Sequence, residues 1–130
     1  MPLTHTISKS ELKRGDHIYV SRTLHSHHGI WDGREVIHFR GRQCNNEFNA
    51  RIRRDALHVF LDGAKLKIFR YGMSKRDTWY KINYLSSTQE SDPPDTVMAR
   101  AELRDKDYNL IFNSCQHFAL WCKMGERAGN

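Results

Sequence analysis

The sequence lacks three features that would assign it to a special class of protein. Its 130 residues include only three cysteines, an odd number without paired spacing, which disfavours a disulfide scaffold and favours a reducing compartment. It contains no run of about 18 apolar residues, so it predicts no membrane-spanning helix. The first residues, 1–5, show no basic-then-apolar signal pattern. We therefore expect a single domain over residues 1–130 of a non-secreted, cytoplasmic protein.

Basic residues outnumber acidic ones, and the formal net charge is +6. The basic residues include one group at Arg51, Arg53 and Arg54 and another at Lys65 and Lys67. One interpretation is an ordinary solvated face; the other is an anionic partner, for which we expect peripheral contact with an anionic membrane surface. Aromatic residues are not interleaved with these charges in any nucleic-acid motif, so nucleic acid is not an expected partner.

Strand patterns precede helical patterns along the chain. Strands are predicted at residues 17–21, 27–31, 34–39, 50–53, 66–69, 79–84 and 108–112. Helices are predicted at residues 55–61, with Asp55 near the N-cap, at 92–104, with Asp92 as capping acid, and at 115–124, after Ser114. This order predicts an α+β fold in which a small antiparallel sheet packs against helices.

The dipeptide Asp32-Gly33 is the strongest short hairpin signal in the chain. A two-residue loop at this point would pair Trp31 with Arg34 and, further out, His27 with His38. Directly opposed residues share a face of the sheet, with Cβ atoms about 4.5–5.5 Å apart. The hairpin therefore predicts that His27 and His38 are neighbours on one face. A one-residue slip in register would put His28 in the place of His27.

The last predicted helix begins at Cys115. The helical spacing of Cys115, Phe118, Ala119 and Cys122 is that of a buried stripe, so the thiol is expected to face the sheet. A helix N-terminus favours thiolate and presents backbone N–H groups to an oxyanion. A nucleophilic thiol also needs a base and a group that orients the base, and the two histidines of the hairpin supply both. The alternatives are a small core cysteine and a solvated histidine pair.

A zinc site is a further alternative. The candidate ligands are His25, His27, His28, His38, Cys115 and His117. No Cys-x-x-Cys or His-x3-His spacing organises them, so we expect neither a metal nor a cofactor.

Four segments together resemble the lecithin:retinol acyltransferase (LRAT) family. They are Gly15–Tyr19, His27–Trp31, Val36–Phe39 and Tyr108–Ala119, in the family's order and within residues 12–125. This family, also called the H-box/NC proteins, is a permuted branch of the NlpC/P60 thiol hydrolases. The resemblance implies an NlpC/P60-like, permuted papain-like fold over nearly the whole chain.

The resemblance also implies roles for three residues. Cys115 matches the family's nucleophile, His27 its general base and His38 the histidine that orients the base. The implied function is a thiol-dependent acyltransferase or phospholipase-type hydrolase. It would form an acyl-thioester intermediate from an acyl lipid or a similar ester or amide.

The sequence departs from the family pattern next to the proposed nucleophile. The usual Asn-Cys-Glu-His reads Ser114-Cys115-Gln116-His117 in this chain, and the first hairpin looks one residue shorter than in the common pattern. These departures support an alternative, a non-catalytic interaction protein on the same fold, such as a viral H-box/NC-type factor.

Overall fold

The computed structural model describes residues 6–40, 51–76, 86–103 and 114–129. Within them, five strands form one antiparallel sheet in the order β4-β3-β2-β1-β5. The strands are β1 His17–Ser21, β2 Ser26–Trp31, β3 Val36–Arg40, β4 Arg51–Asp55 and β5 Lys67–Ile68. The α+β prediction is confirmed. The strands predicted at 79–84 and 108–112, together with Cys44, lie outside the described residues.

Three α-helices accompany the sheet in the part of the chain that the structure describes. They are α1 Leu57–Leu61, α2 Pro94–Ala101 and α3 Cys115–Met124, with 3-10 turns at Lys9–Glu11 and Gly125–Ala128. None of the helices in these ranges is both long enough and apolar enough to span a membrane.

The predicted capping role of Asp92 is wrong, because its carboxylate has other partners. The N-cap of α2 is Pro93, while the Asp92 carboxylate accepts hydrogen bonds of 2.7 Å from Arg100 and Arg127. These guanidinium groups hold the pKa of Asp92 below its usual value. Asp55 lies next to the N-cap of α1, as predicted: it ends β4, and the N-cap itself is Ala56.

The two faces of the sheet bury separate hydrophobic clusters, because side chains alternate along each strand. One cluster, on the face that α2 and α3 cover, contains Ile30, Ile37, Phe39, Val97, Met98, Ala101, Phe118, Ala119 and Cys122. The cluster on the other face, which includes residues of α1, contains Ile18, Val20, Trp31, Val36, Leu57, Phe60 and Leu66. We call these the helix-covered face and the α1 face.

The predicted register of the β2–β3 hairpin is wrong by two residues. The structure pairs Trp31 with Val36, where a two-residue loop would have paired it with Arg34. The cause is Asp32, whose carboxylate accepts the N–H groups of Arg34 at 2.7 Å and Glu35 at 2.6 Å and so widens the loop to residues 32–35. A shift by two residues preserves the face of every side chain, so the predicted sharing of faces survives.

Gly29 of β2 lies where the neighbouring side chains leave no room for a larger residue. A Cβ atom at this position would lie 2.5 Å from Val36 Cγ1 and 3.2 Å from a ring carbon of Phe60. We predict that Gly29→Ala lowers the free energy of unfolding by about 1–3 kcal/mol, the usual cost of overpacking a core. Urea denaturation measures this change, and an unaltered midpoint would contradict the close contact.

Candidate active site

Three polar side chains form a hydrogen-bonded chain on the α1 face. His27 Nε2 lies 3.0 Å from His38 Nδ1, and His38 Nε2 lies 2.8 Å from Asp55 Oδ2. His38 is buried, with 4% of its surface exposed, and the Phe60 ring packs against both imidazoles, with ring centroids 5.1 and 5.5 Å away. The two histidines are therefore held by a carboxylate at one end and by an aromatic wall at the side.

The strand register explains why these three side chains meet. β3 and β4 pair Val36 with Asp55 and His38 with Arg53, so Asp55 shares the face of His38 and lies diagonally across from it. His27 and His38 are likewise diagonal rather than directly opposed, because of the wider hairpin loop. Diagonal neighbours are within reach of rings of this size.

The order of partners fixes the protons of the neutral histidines. The Asp55 carboxylate is an acceptor only, so His38 donates its Nε2–H and keeps Nδ1 as an acceptor. His27 must then donate its Nε2–H to that nitrogen, which leaves Nδ1 as the acceptor nitrogen of His27. An imidazole in this tautomer has the form that a general base requires.

Cys115 is the first residue of α3, as predicted. The Ser114 hydroxyl caps the helix by accepting the N–H of His117 at 3.1 Å, and the helix ends at Gly125. Cys115, Phe118, Ala119 and Cys122 are all buried, which confirms the predicted stripe. Burial raises the pKa of the Cys122 thiol well above its usual value, so Cys122 is unsuited to act as a nucleophile near neutral pH.

The Cys115 sulfur contacts β2 on both sides of His27. It accepts the backbone N–H of His28 at 3.4 Å and lies 3.8 Å from the carbonyl oxygen of Ser26. The backbone N–H of Trp31 donates to the carbonyl oxygen of Asp16, on the β1 side of β2. Because backbone N–H groups point alternately to the two sides of a strand, the N–H of His28 points towards β3. The β2–β3 ladder consists of Ile30–Ile37 and Trp31–Val36, and the sulfur lies beside β2 beyond the end of that ladder.

A cleft of about 630 Å³ opens over the histidine pair. Its walls include His27, His38 and Asp55, together with Arg22, His25, Val59 and Phe60. Cys115 is not part of these walls and is only 2% exposed. A molecule in the cleft would therefore meet the imidazoles before it met the sulfur.

The predicted site residues form two groups, the histidine pair and the cysteine, and both groups contact strand β2 at His27 or beside it. The structure joins His27 to His38 directly, and it brings Cys115 to the backbone that flanks His27. Sequence reasoning missed Asp55, which it placed near a helix cap. The sequence did hold a signal for Asp55, since it is the one acid that directly follows the basic run 51–54. Its contact with His38, however, depends on the β3–β4 register, which the sequence does not give.

The alternative zinc ligands do not converge in the structure. No group of three metal-binding side chains occurs within the described ranges. His117 Nε2 lies 2.9 Å from the Gly129 carbonyl oxygen, and His28 turns to the opposite face from His27, where it contacts His17 and Tyr19.

Comparison with known proteins identifies the family. Residues 10–128 match the family model described as lecithin retinol acyltransferase, which covers nearly the whole chain. No curated protein matches the sequence. The chain therefore belongs to the lecithin retinol acyltransferase family, and this membership implies acyl-transfer chemistry on lipid esters.

Proposed function

We propose that the protein is a thiol-dependent acyltransferase or phospholipase-type hydrolase in which Cys115 is the nucleophile, His27 the general base and His38 the group that orients the base. One observation carries this proposal. The Asp55–His38–His27 chain leaves Nδ1 as the acceptor nitrogen of His27, while the Cys115 sulfur contacts the backbone on both sides of the same residue.

The proposed reaction proceeds through a thioester. His27 Nδ1 takes the proton of the Cys115 thiol, and the sulfur attacks the ester carbonyl carbon. The oxyanion that forms lies near the N-terminus of α3, whose first-turn N–H groups and dipole stabilise negative charge. When the C–O bond breaks, the leaving alkoxide takes its proton from His27 and the acyl group remains on sulfur. Water or an acceptor alcohol or amine then releases it.

Asp55 extends the orienting part of this proposed site. Its carboxylate would hold the His38 tautomer and stabilise the positive charge that spreads over the two imidazoles when the thiol proton moves. The burial of Cys115 adds a requirement, because the acyl donor has to displace covering groups before it reaches the sulfur.

Intact-mass spectrometry tests the proposal directly. The protein is mixed with a short-chain p-nitrophenyl ester, and separately with diacyl phospholipid vesicles, and quenched in acid. We expect an adduct of one acyl group, mapped by peptide analysis to Cys115. If neither donor gives an adduct under conditions in which the protein is folded, the non-catalytic alternative replaces the enzyme.

Exposed apolar side chains beside the cleft support a lipid substrate. Leu24 is 92% exposed and Val59 is 54% exposed. Val59 lines the histidine cleft, and Leu24 lines an adjoining cleft of about 530 Å³ that shares Arg22 and His25 with the first. We therefore propose that the loop 22–25 contacts the lipid surface from which the substrate comes.

The basic residues contribute unequally to such a surface. Lys67 lies at the base of the Leu24 loop, where its ammonium group donates to the Ser21 hydroxyl at 3.1 Å, and Lys65 is exposed nearby in the chain. Arg54 instead pairs with Asp32 and, at 3.6 Å, with Glu102. We propose that Lys65 and Lys67, more than Arg54, attract anionic lipid.

We predict that Leu24→Asp weakens binding to anionic phospholipid vesicles about tenfold. Burying a leucine side chain is worth about 1.5–3 kcal/mol, and each 1.4 kcal/mol corresponds to a tenfold change in affinity. Vesicle co-sedimentation measures the loss, and the reaction with the soluble ester should be unchanged.

The matched control is Thr23→Asp, which adds the same charge at the preceding residue without removing an apolar side chain. Equal losses in the two variants would mean that charge alone acts, and unchanged binding in Leu24→Asp would contradict contact of this loop with lipid. Raising the salt from about 0.1 M to about 1 M shortens the screening length from about 10 Å to about 3 Å and should weaken the lysine contribution.

A further inference from the structure

A second hydrogen-bonded chain, separate from the first, crosses the helix-covered face of the sheet. The Tyr71 hydroxyl lies 2.8 Å from His17 Nδ1, His17 Nε2 lies 2.7 Å from His28 Nδ1, and His28 Nε2 lies 2.7 Å from the Ser26 hydroxyl. Both histidines have no exposed surface. We call these four side chains the buried relay.

Aromatic rings enclose both histidines of the buried relay. The His17 ring stacks on Phe69 with centroids 4.3 Å apart, and the His28 ring stacks on Tyr19 at 5.3 Å. Burial lowers the pKa of His28 to about 3 and lowers the pKa of His17 well below its usual value. Both rings are therefore neutral at neutral pH, and His28 is unsuited to the role of general base.

Neutral rings can satisfy this chain in only two ways. Each imidazole donates one hydrogen bond and accepts one, so all the protons point from Tyr71 towards Ser26 or all point back. In either direction both nitrogens of both histidines are satisfied, as buried polar groups require. The buried relay is consequently a closed and rigid unit whose members depend on one another.

The buried relay ends at the two residues that contact the Cys115 sulfur. His28 donates its backbone N–H to the sulfur, and the Ser26 carbonyl oxygen lies 3.8 Å from it. The side chains of the same two residues are bonded to each other at 2.7 Å. A side chain that is fixed at both ring nitrogens also restrains its own backbone, and therefore the N–H that meets the sulfur.

We propose that the buried relay is a positioning device for Cys115, which holds the His28 N–H against the sulfur and thereby stabilises the thiolate. The inference rests on the proposed function in so far as Cys115 is the nucleophile. Two apolar side chains in place of His17 and His28 would fill the same space, and they would avoid the unfavourable free energy of burying two imidazoles. Packing alone therefore does not explain why histidines occupy these positions.

The test measures the alkylation of Cys115 by iodoacetamide as a function of pH, with Cys122 in the same digest as the internal reference. We expect His28→Phe to slow alkylation near pH 6 about tenfold, equivalent to a rise of about one unit in the thiol pKa. Tyr71→Phe keeps the ring and removes only the hydroxyl at the far end, so we expect a smaller slowing, about two- to threefold, in the same direction.

Two controls separate positioning from general destabilisation. Ile30→Val alters a buried residue on the same strand and face outside the buried relay, so it should lower the melting temperature and leave the alkylation profile unchanged. Tyr71→Phe should have no further effect in the His28→Phe background, because its influence passes through His28. If His28→Phe does not fold, His17→Gln and Tyr71→Phe test the same link from further away.

An alkylation profile that stays unchanged in a folded His28→Phe variant, or that moves equally in Ile30→Val, overturns the positioning role. The measurement needs no substrate, which separates the two claims. A missing acyl adduct in the wild-type protein overturns the proposed function alone, whereas an unchanged alkylation profile overturns this inference alone.

Discussion

Cys115→Ala and His27→Ala should each abolish formation of the acyl adduct, with a loss of at least about 10³-fold in the acylation rate. Without the sulfur no covalent route exists. Without His27 the thiol keeps its proton, because both ring nitrogens of His28, the nearest other histidine on the strand, are engaged in hydrogen bonds, and burial lowers the pKa of His28 to about 3. Stopped-flow release of p-nitrophenol and intact-mass analysis measure both losses.

The matched control for this prediction is Cys122→Ala, which removes a buried thiol two turns along the same helix and should retain the adduct. The double variant His27→Ala with Cys115→Ala should be no worse than either single change, since the two side chains act as one unit. Full acylation in His27→Ala would reject His27 as the base. A complete loss in His28→Ala, with His38→Gln silent, would move that role to His28.

Asp55→Asn should slow acylation by roughly 10- to 100-fold, the size typical of losing a group that orients a reacting side chain rather than the reacting side chain itself. An amide can still hydrogen-bond His38, but it carries no charge to stabilise the imidazolium that forms as the thiol loses its proton. His38→Gln should likewise leave a small residual rate, because its carbonyl can accept the Nε2–H of His27. Single-turnover kinetics with the soluble ester gives these rates.

Asp62 provides the control, since it lines the same cleft and has the αL conformation that asparagine tolerates. Asp62→Asn should change the acylation rate by less than about twofold, as expected for an exposed surface charge. Equal effects at the two positions would mean that the cleft responds to its total charge. In that case the Asp55–His38 bond would have no special part in the reaction.

Local sequence patterns predicted the elements of the site more reliably than their pairing. Alternation placed His27 and His38 on one face, and the apolar stripe of α3 with its Ser114 cap was correct. The hairpin register was wrong because a side chain entered the turn. The Asp32 carboxylate accepts the backbone N–H groups of Arg34 and Glu35, which follow it in the chain. The dipeptide Asp-Gly alone does not distinguish this four-residue loop from a two-residue turn.

The sequence by itself determined the family, the α+β class and the face of each histidine, because these depend on short motifs and on a strand period of two residues. The tertiary structure decided which residues meet. Asp55 reaches His38 through the β3–β4 register, Tyr71 reaches His17 across 54 residues of chain, and Cys115 reaches His28 across 87 residues. Such contacts join residues far apart in the sequence, so they depend on how strands and helices pack rather than on the pattern within any one of them.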